Sequence, residues 1–567
     1  MQKPLIVQSD RTILLDVHNE NANECRSELI SFAELEKSPE HIHTYRLSPL
    51  SLWNAASAGV KSETIVSTLE KFSAFTIPES LALWIYETMS RFGKVHIRET
   101  ENENELLIAV DSERIFLELQ GNHELQKLFL DKVPSEKNSF LCKVTNRGTI
   151  KQTLLTLGFP AKDEAHLVEG DTLSFSLQTK TKSGKPFVIR DYQKMASESF
   201  LGNKKRGSGF GTIVLPCGSG KTIVALDIMA KLQTNTLIIT TNISAVHQWI
   251  DELLDKTSLS LDDIAEYSGE AKTIKAVTIA TYQILTWRPN KDSDYPHFSL
   301  FRKRNWGFII YDEVHTLPAP VFRVAAELQA VRRVGLTATL VREDGNEGAV
   351  FSLVGPKRFD VPWKELEKYG WIAKAECVEV KVDFSFENEI EYASSALRKK
   401  HRLASENEKK FSLVETLISF YKTDAILIIG QYISQLEKIA QKISAPIITG
   451  KTPIAERDEL YNQFRNGKLH VLVVSKVANF AIDLPDASIA IQVSGTFGSR
   501  QEEAQRLGRI LRPKKKSAKF FTLITRDSVE EEFGANRQKF LAEQGYSYHL
   551  ISYTDEKNFL RALSELD

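Results

Sequence analysis

Residues 212–222, TIVLPCGSGKT, carry an apolar run into Pro216, Cys217, Gly218, Ser219, Gly220, Lys221 and Thr222, and the helical pattern IVALDIMAKL follows. Strand, glycine turn and helix in that order make a phosphate cradle. Glycines let backbone amides approach an anion, and the helix N-terminus adds partial positive charge. Lys221 has the reach for the β and γ phosphates of a nucleotide, and the Thr222 hydroxyl suits a Mg²⁺ ion. Leu215 stands where the full GxxxxGK[ST] spacing has glycine, so taken alone the pattern competes with a glycine-rich turn bearing a surface lysine.

It is not alone. Downstream, FIIYDEVH reads as a buried strand ending in Asp312, Glu313, Val314 and His315. Carboxylates at the C-terminal end of a parallel strand face the nucleotide crevice, where Asp312 can join the Mg²⁺ shell and Glu313 can orient or deprotonate a water. The segment RRVGLTAT follows, another strand-to-loop junction, whose Thr337 and Thr339 hydroxyls suit a link between the nucleotide pocket and a moving partner. Far downstream, SRQEEAQRLGRILRPKKK repeats Gln505, Arg506, Arg509 and Arg512 at spacings of three and four, so that Arg506 and Arg509 can share a helix face. Arginines opposite a γ phosphate neutralise transition-state charge; the alternative is a solvated basic helix that touches nucleic acid.

Such groups must be held by sheets. Apolar runs of four to six residues recur from Thr212 (TIVL, NTLIIT, AVTIA, GFIIYD, RRVGL) and again from Ala425 (AILIIG, APIITG, HVLVVS, IAIQVS, KFFTLIT). Runs of this kind, alternating with helical segments, are how buried parallel strands read, and they predict two tandem doubly wound α/β domains. The expected division is an α+β accessory domain at 1–125, a small domain with a hairpin at 126–185, a nucleotide-binding α/β domain at 186–355, a linker and helical insertion at 356–420, and a second α/β domain at 421–567. A chain of 567 residues with 42% hydrophobic and 26% charged residues has room for these domains and the composition of folded ones. Net charge is −1, but residues 1–125 hold 11 basic and 20 acidic side chains, leaving 62 and 54 of the chain's 73 and 74 for the remainder. A polyanion site is therefore expected after residue 125. Cys25, Cys142, Cys217 and Cys377 form no CxxC pair, and no apolar run reaches the ~18 residues of a spanning helix, which predicts a soluble protein of a reducing compartment.

Taken together, LPCGSGKT, YDEVHTLPA, GLTATLVREDG, VSKVANFAIDLP and GSRQEEAQRLGRILRPKK resemble the motifs of superfamily 2 helicases, and in detail those of the XPB family. The resemblance covers most of the chain. It implies two RecA-like domains and an ATP- and Mg²⁺-dependent DNA helicase or translocase of 3′ to 5′ polarity, acting in repair of bulky damage with a nuclease or repair factor as partner. It assigns adenine reading to Arg190 and Gln193 of IRDYQ, a nucleotide contact to Asp483, and a coupling triplet to Arg342, Glu343 and Asp344. It likens RGTIKQTLLTLGF to a small DNA-recognition domain, LSPLSLWNAASAGV to the extra N-terminal domain of bacterial members, and 383–420 to a thumb. It also implies a compact bacterial or archaeal form, cytoplasmic and nucleoid-associated.

Contacts to DNA phosphates are expected from Thr240 and Thr241, from Thr281 and Tyr282, and from Arg500, with a plain surface arginine as the alternative for the last. Val246, Trp249, Ile250 and Leu253 are expected to be the core face of one helix. Two other readings share the nucleotide residues: the motor of a restriction or remodelling complex, and a nucleotide-gated DNA-binding scaffold. Retention of Lys221, Glu313 and the arginines speaks against the scaffold.

Overall fold

The computed structural model describes residues 3–566 apart from 30, 38–40, 58, 103, 132–133, 135, 166–168, 203–208, 217, 291–292, 294, 318–331, 339–349, 351–353, 356, 362, 385, 476–486, 496–502, 504–505, 509–516 and 544–545. The chain divides into two units, residues 1–215 with 220–360, and 216–219 with 361–567. Among the described residues no helix is long and apolar enough to cross a membrane.

The first unit opens with an antiparallel sheet of β1 (Leu5–Val7), β2 (Thr12–Asp16), β3 (Glu34–Lys37) and β4 (Ile42–Arg46) in the order β1-β2-β4-β3. Its inward residues Leu5, Ile13, Leu15 and Tyr45 share a core with Leu52, Ile65, Leu69 and Ile85 of the three helices that follow. A second small sheet, ordered β7-β6-β5-β8, joins β5 (Val95–Glu99), β6 (Glu105–Val110), β7 (Ser139–Lys143) and β8 (Lys162–Asp163). This sheet crosses the division expected at 125/126. The apolar runs of β5 and β6 need a further partner to cover their edge, and β7 supplies it from beyond that point.

The hairpin expected within 126–185 is only partly formed. Lys180 bridges Pro186 around a tight turn, but Thr172 and Leu177 bridge Thr234 and Thr257 instead, so the stretch runs along the next domain rather than folding on itself.

At β8, the edge of the small sheet, Arg147 Nε and Lys151 Nζ each lie 3.0 Å from Asp163 Oδ2. Burial pushes Lys151 down to about 8, and Arg333 of the neighbouring domain adds a further repulsion. Asp163 is disfavoured by burial too, but Lys151 and Arg147 overcome this and hold it down at about 2. The cluster thus has three cations around one anion, and the anion's loss is the costly one. Asp163→Ala is expected to destabilise the first unit by about 3–5 kcal/mol, because cations are left buried and uncompensated. Urea unfolding at neutral pH measures this. Because the folded pKa of Asp163 lies below its ordinary value, its stabilisation is present above the ordinary carboxylate range and fades as pH falls towards 2; the Asp163→Ala protein should lack that part of the acid transition.

The first parallel sheet contains β9 (Phe210–Val214), β10 (Thr236–Thr240), β11 (Ile264–Tyr267), β12 (Val277–Thr281), β13 (Phe308–Asp312), β14 (Arg332–Thr337) and β15 (Lys357–Asp360), ordered β11-β12-β10-β13-β14-β9-β15. All five expected runs are strands. The two additions, β11 and β15, are its edges, where polar residues interrupt the apolar pattern (IAEY, KRFD). The order places the ends of β13, β14 and β9 side by side, with Asp312 opposite Leu336 and Thr337 opposite Val214.

The second parallel sheet holds β16 (Ala375–Val382), β17 (Ile426–Ile429), β18 (Ile447–Ile448), β19 (Val471–Val474), β20 (Ile489–Gln492), β21 (Ala518–Thr525) and β22 (Tyr548–Tyr553), ordered β18-β19-β17-β20-β21-β16-β22. The five expected runs are again strands. β16 falls inside the stretch expected to be linker and insertion. Its AECVEVKV alternates charges that read as solvent-facing, yet Glu379 accepts from Gln538 (2.7 Å) and Lys381 pairs with Glu531 (2.6 Å), so the strand lies between two partners. Residues 386–420 are helical, as expected. The last of these helices is not a free lobe. Leu413, Val414 and Leu417 enter the domain core, and the fully buried Lys410 pairs with Glu530 at 2.7 Å.

Candidate nucleotide site

Chain folding at the phosphate turn follows from its glycines. Gly218 and Gly220 have φ of +77° and +86°, the left-handed region open to glycine, and Gly220 starts the helix Lys221–Leu232. A Cβ on Gly220 would come within 2.5 Å of Gln193 Nε2, so the turn also needs glycine for close approach. Ser219 Oγ closes the turn by donating to the Pro216 carbonyl at 2.6 Å. Gln193 is buried on the helix Asp191–Leu201, and its Oε1 accepts from the Arg190 backbone N–H at 2.9 Å. The pair expected to read adenine is therefore a helix cap beside the phosphate turn.

Lys221 Nζ donates to the Leu215 carbonyl (3.4 Å) and lies 3.8 Å from Glu313 Oε1. The lysine, which follows β9, and the acidic pair at the end of β13 are thus brought together across the intervening end of β14. Asp312 Oδ1 accepts from Glu313 N (3.0 Å), while Oδ2 accepts from Trp249 Nε1 (2.9 Å) and Thr240 Oγ1 (3.3 Å). Burial and the adjacent Glu313 charge push Asp312 up to about 6, against the pull of Trp249, Lys221 and Thr240. Glu313 sits at φ +48°, rare for a side-chain-bearing residue and costing about 1–3 kcal/mol of local strain. Its Oε2 is buried without a hydrogen-bond partner, 3.5 Å from His315 Nδ1, and that nitrogen shares a hydrogen bond with Thr337 Oγ1 at 2.7 Å. Glu313, His315 and Thr337 so form one chain of contacts across β13 and β14. The Asp312 carboxylate and the adjacent Glu313 Oε2, which has no hydrogen-bond partner, are oxygen ligands of the type a hard divalent cation takes, as is the Thr222 hydroxyl, and Mg²⁺ fits this chemistry.

Three expected DNA contacts turn inward instead. Thr240 is fully buried and serves Asp312. Thr281 is buried and caps the helix Tyr282–Thr286 by accepting from Ile284 N (3.2 Å), and the Tyr282 hydroxyl donates to the Asp312 carbonyl at 2.9 Å. All three are the last or next residues of inner strands of the sheet, where a hydroxyl is satisfied more readily by a neighbouring strand end than by solvent. Thr241 Oγ1 is buried as well, but it has no hydrogen-bond partner among the described residues. Trp249 is a core-face residue, as expected, but also an unanticipated donor to the site. The available signal was chemical, since a buried indole N–H needs an acceptor.

In the second unit, Arg506 is buried and donates to Gln492 Oε1 and to the Ser494 carbonyl (3.3 Å), while Gln492 donates to Glu503 (2.9 Å). Arg506 therefore braces its own domain. Cys217, Thr339, Arg342, Glu343, Asp344, Asp483, Arg500, Gln505, Arg509 and Arg512 lie outside the described residues.

Known families match these regions. A model described as the ERCC3/RAD25/XPB C-terminal helicase matches residues 366–564, one for the type III restriction enzyme res subunit matches 186–342, and one for a helicase conserved C-terminal domain matches 5–133. The chain is 48% identical over 554 residues to the DNA 3′-5′ helicase XPB of Kineococcus radiotolerans, covering 97% of each chain. It is 46% identical to that of Mycobacterium tuberculosis, over 96% of this chain and 97% of the relative. A Saccharomyces cerevisiae relative, the general transcription and DNA repair factor IIH helicase/translocase subunit XPB/SSL2, is 29% identical over 97% of this chain and 72% of its own. Among solved structures, S. cerevisiae Dbp5 bound to RNA and ADP BeF3 aligns with a TM-score of 0.50 at 15% identity, over 68% of this chain and 94% of that one, a likeness of fold. With phosphate turn, acidic strand end and two parallel sheets in place, and with relatives this similar over nearly their whole length, the chain belongs to the XPB family of superfamily 2 helicases.

Proposed function

We propose that the protein is an ATP-dependent DNA helicase or translocase of 3′ to 5′ polarity that serves repair of bulky DNA damage. The observation that carries this is Lys221 held 3.8 Å from Glu313 at strand ends of one parallel sheet, in a chain 48% identical to a DNA 3′-5′ helicase. Lys221 exchanges its Leu215 and Glu313 contacts for the β and γ phosphates. Glu313 then orients the attacking water and takes its proton, with His315 and Thr337 fixing its carboxylate. Thr222 and Asp312 hold Mg²⁺, which neutralises phosphate charge when bound. Arg190 and Gln193 serve the base, the turn Pro216–Thr222 cradles the phosphates through the backbone N–H groups that follow Pro216, and Asp483 is a further nucleotide contact. Arg509 and Arg512, with Gln505, supply charge to the transition state. DNA is held through its backbone by Thr241 and Arg500, with Thr339 and the Arg342, Glu343, Asp344 triplet coupling it to ATP. A separate nuclease or repair factor completes the repair.

The test is ATP turnover with and without single-stranded, duplex and forked DNA, with strand displacement measured alongside. Turnover is expected to rise with DNA, and a turnover indifferent to DNA overturns the reading. The match of residues 186–342 to a restriction-enzyme subunit favours one second reading, a motor that translocates without unwinding. It predicts DNA-stimulated turnover with no displaced strand. DNA affinity should fall steeply with salt, by about 0.7 to 0.9 log units per log unit of salt for each neutralised phosphate, with little sequence preference. Salt-independent binding in a filter or anisotropy titration rules out the backbone-contact mode.

A further inference from the structure

Trp249 belongs to none of the motifs that identify the nucleotide site, yet its indole N–H reaches the centre of it. The helix Ile243–Lys256 is capped by Asn242, whose side chain accepts from Ala245 N at 2.9 Å, and is seated by Val246, Trp249 and Leu253. Trp249 is 3% exposed, and its ring is locked by this packing. From there Nε1 meets Asp312 Oδ2 at 2.9 Å, Thr240 Oγ1 meets the same oxygen at 3.3 Å, and Glu313 N holds Oδ1 at 3.0 Å. A free carboxylate turns broadly about its last torsion; this one has donors on both oxygens. Two of the three are neutral side chains, which orient the carboxylate without cancelling the charge that a cation needs. An indole is a donor only, so it cannot itself compete as a ligand.

We propose that Trp249 is a positioning residue for nucleotide hydrolysis: with Thr240, it fixes the Asp312 carboxylate in the orientation that receives the divalent cation. The proposal rests on the ATPase reading above. Groups that orient a metal ligand from behind change metal affinity or activity by about 10- to 100-fold when removed.

Trp249→Phe keeps most of the ring and deletes the N–H. In the full-length protein, affinity for a fluorescent, non-hydrolysed ATP analogue is measured in EDTA and across a Mg²⁺ titration, with the thermal unfolding midpoint recorded beside it. Affinity in EDTA and the midpoint are expected to stay near wild type, while the Mg²⁺ needed for half-maximal tightening rises about 10- to 100-fold. Thr240→Val, which removes the second donor, should shift the Mg²⁺ requirement in the same direction, and Thr240→Ser should restore it. A purely structural Trp249 lowers the midpoint and leaves the Mg²⁺ requirement unmoved, and that result overturns the proposal. Where Trp249→Phe does not fold, the Thr240 variants decide: an unshifted Mg²⁺ requirement in Thr240→Val overturns it equally. A wild-type protein whose analogue affinity ignores Mg²⁺ removes the ATPase reading itself, whereas a responsive wild type with indistinguishable variants removes only the role given to Trp249.

Discussion

Glu313→Gln is expected to bind ATP with wild-type affinity and turn it over about 10²- to 10⁴-fold more slowly, the range lost with a general base. The amide has the same shape as the carboxylate and inherits the same φ of +48°, so neither packing nor backbone strain changes. What changes is chemistry at Oε2, the buried oxygen with no hydrogen-bond partner: an amide there cannot take a proton from water. Lys221→Ala gives the opposite split. It deletes the ammonium 3.8 Å from Glu313 Oε1 and with it the grip on the phosphates, so affinity falls together with turnover. Equilibrium binding of ATP and single-turnover hydrolysis, measured on both variants, separate the two roles. Wild-type turnover by Glu313→Gln would sink the assignment.

That Lys221 and Glu313 were legible in sequence, and Trp249 and Tyr282 were not, has a physical cause. Lysine and glutamate each end or follow an apolar run, and such runs are central strands buried on both faces, whose C-terminal ends share one edge by the rules of parallel sheets. The position of a strand in sequence therefore gave its chemistry a place in space. Trp249 and Tyr282 reach Asp312 from helices 63 and 30 residues away in sequence, and only the crossing geometry of those helices decides which polar atom each meets. Thr240 and Thr281 show the same limit from the other side. A threonine at a strand end presents its hydroxyl to DNA or to its own neighbours, and the pattern of sequence is identical in both cases.

The fold shows a parallel division. Ten apolar runs marked ten strands, while β11 and β15 at the edges, and the charged but covered β16, carry too much polarity to read as buried. The junction expected at 125/126 failed because β7, residues 139–143, pairs back onto β6; strand pairing across tens of residues leaves no local mark.

Arg509→Ala and Arg512→Ala are expected to bind ATP almost normally and to lose about 10³- to 10⁵-fold in turnover, the range of an arginine that neutralises a transferring phosphoryl group. Arg506 sharpens the test. It is buried, holds Gln492 and the Ser494 carbonyl, and its loss should lower the stability of the second unit rather than act on hydrolysis alone. Arg509 and Arg512, by contrast, should leave the unfolding midpoint in place. If the arginines have the proposed role, the variants should separate ATP affinity, which rests on residues such as Lys221, from hydrolysis, which needs the arginines as well. DNA that favours the competent state must then be bound more tightly in the presence of ATP, and ATP more tightly in the presence of DNA, by the same factor. In Arg509→Ala the DNA stimulation of turnover should vanish along with the basal rate. If the arginines only touch DNA, the variants bind DNA weakly but keep their basal rate. Basal and DNA-saturated turnover of both variants decides, and an intact basal rate in both removes the catalytic role.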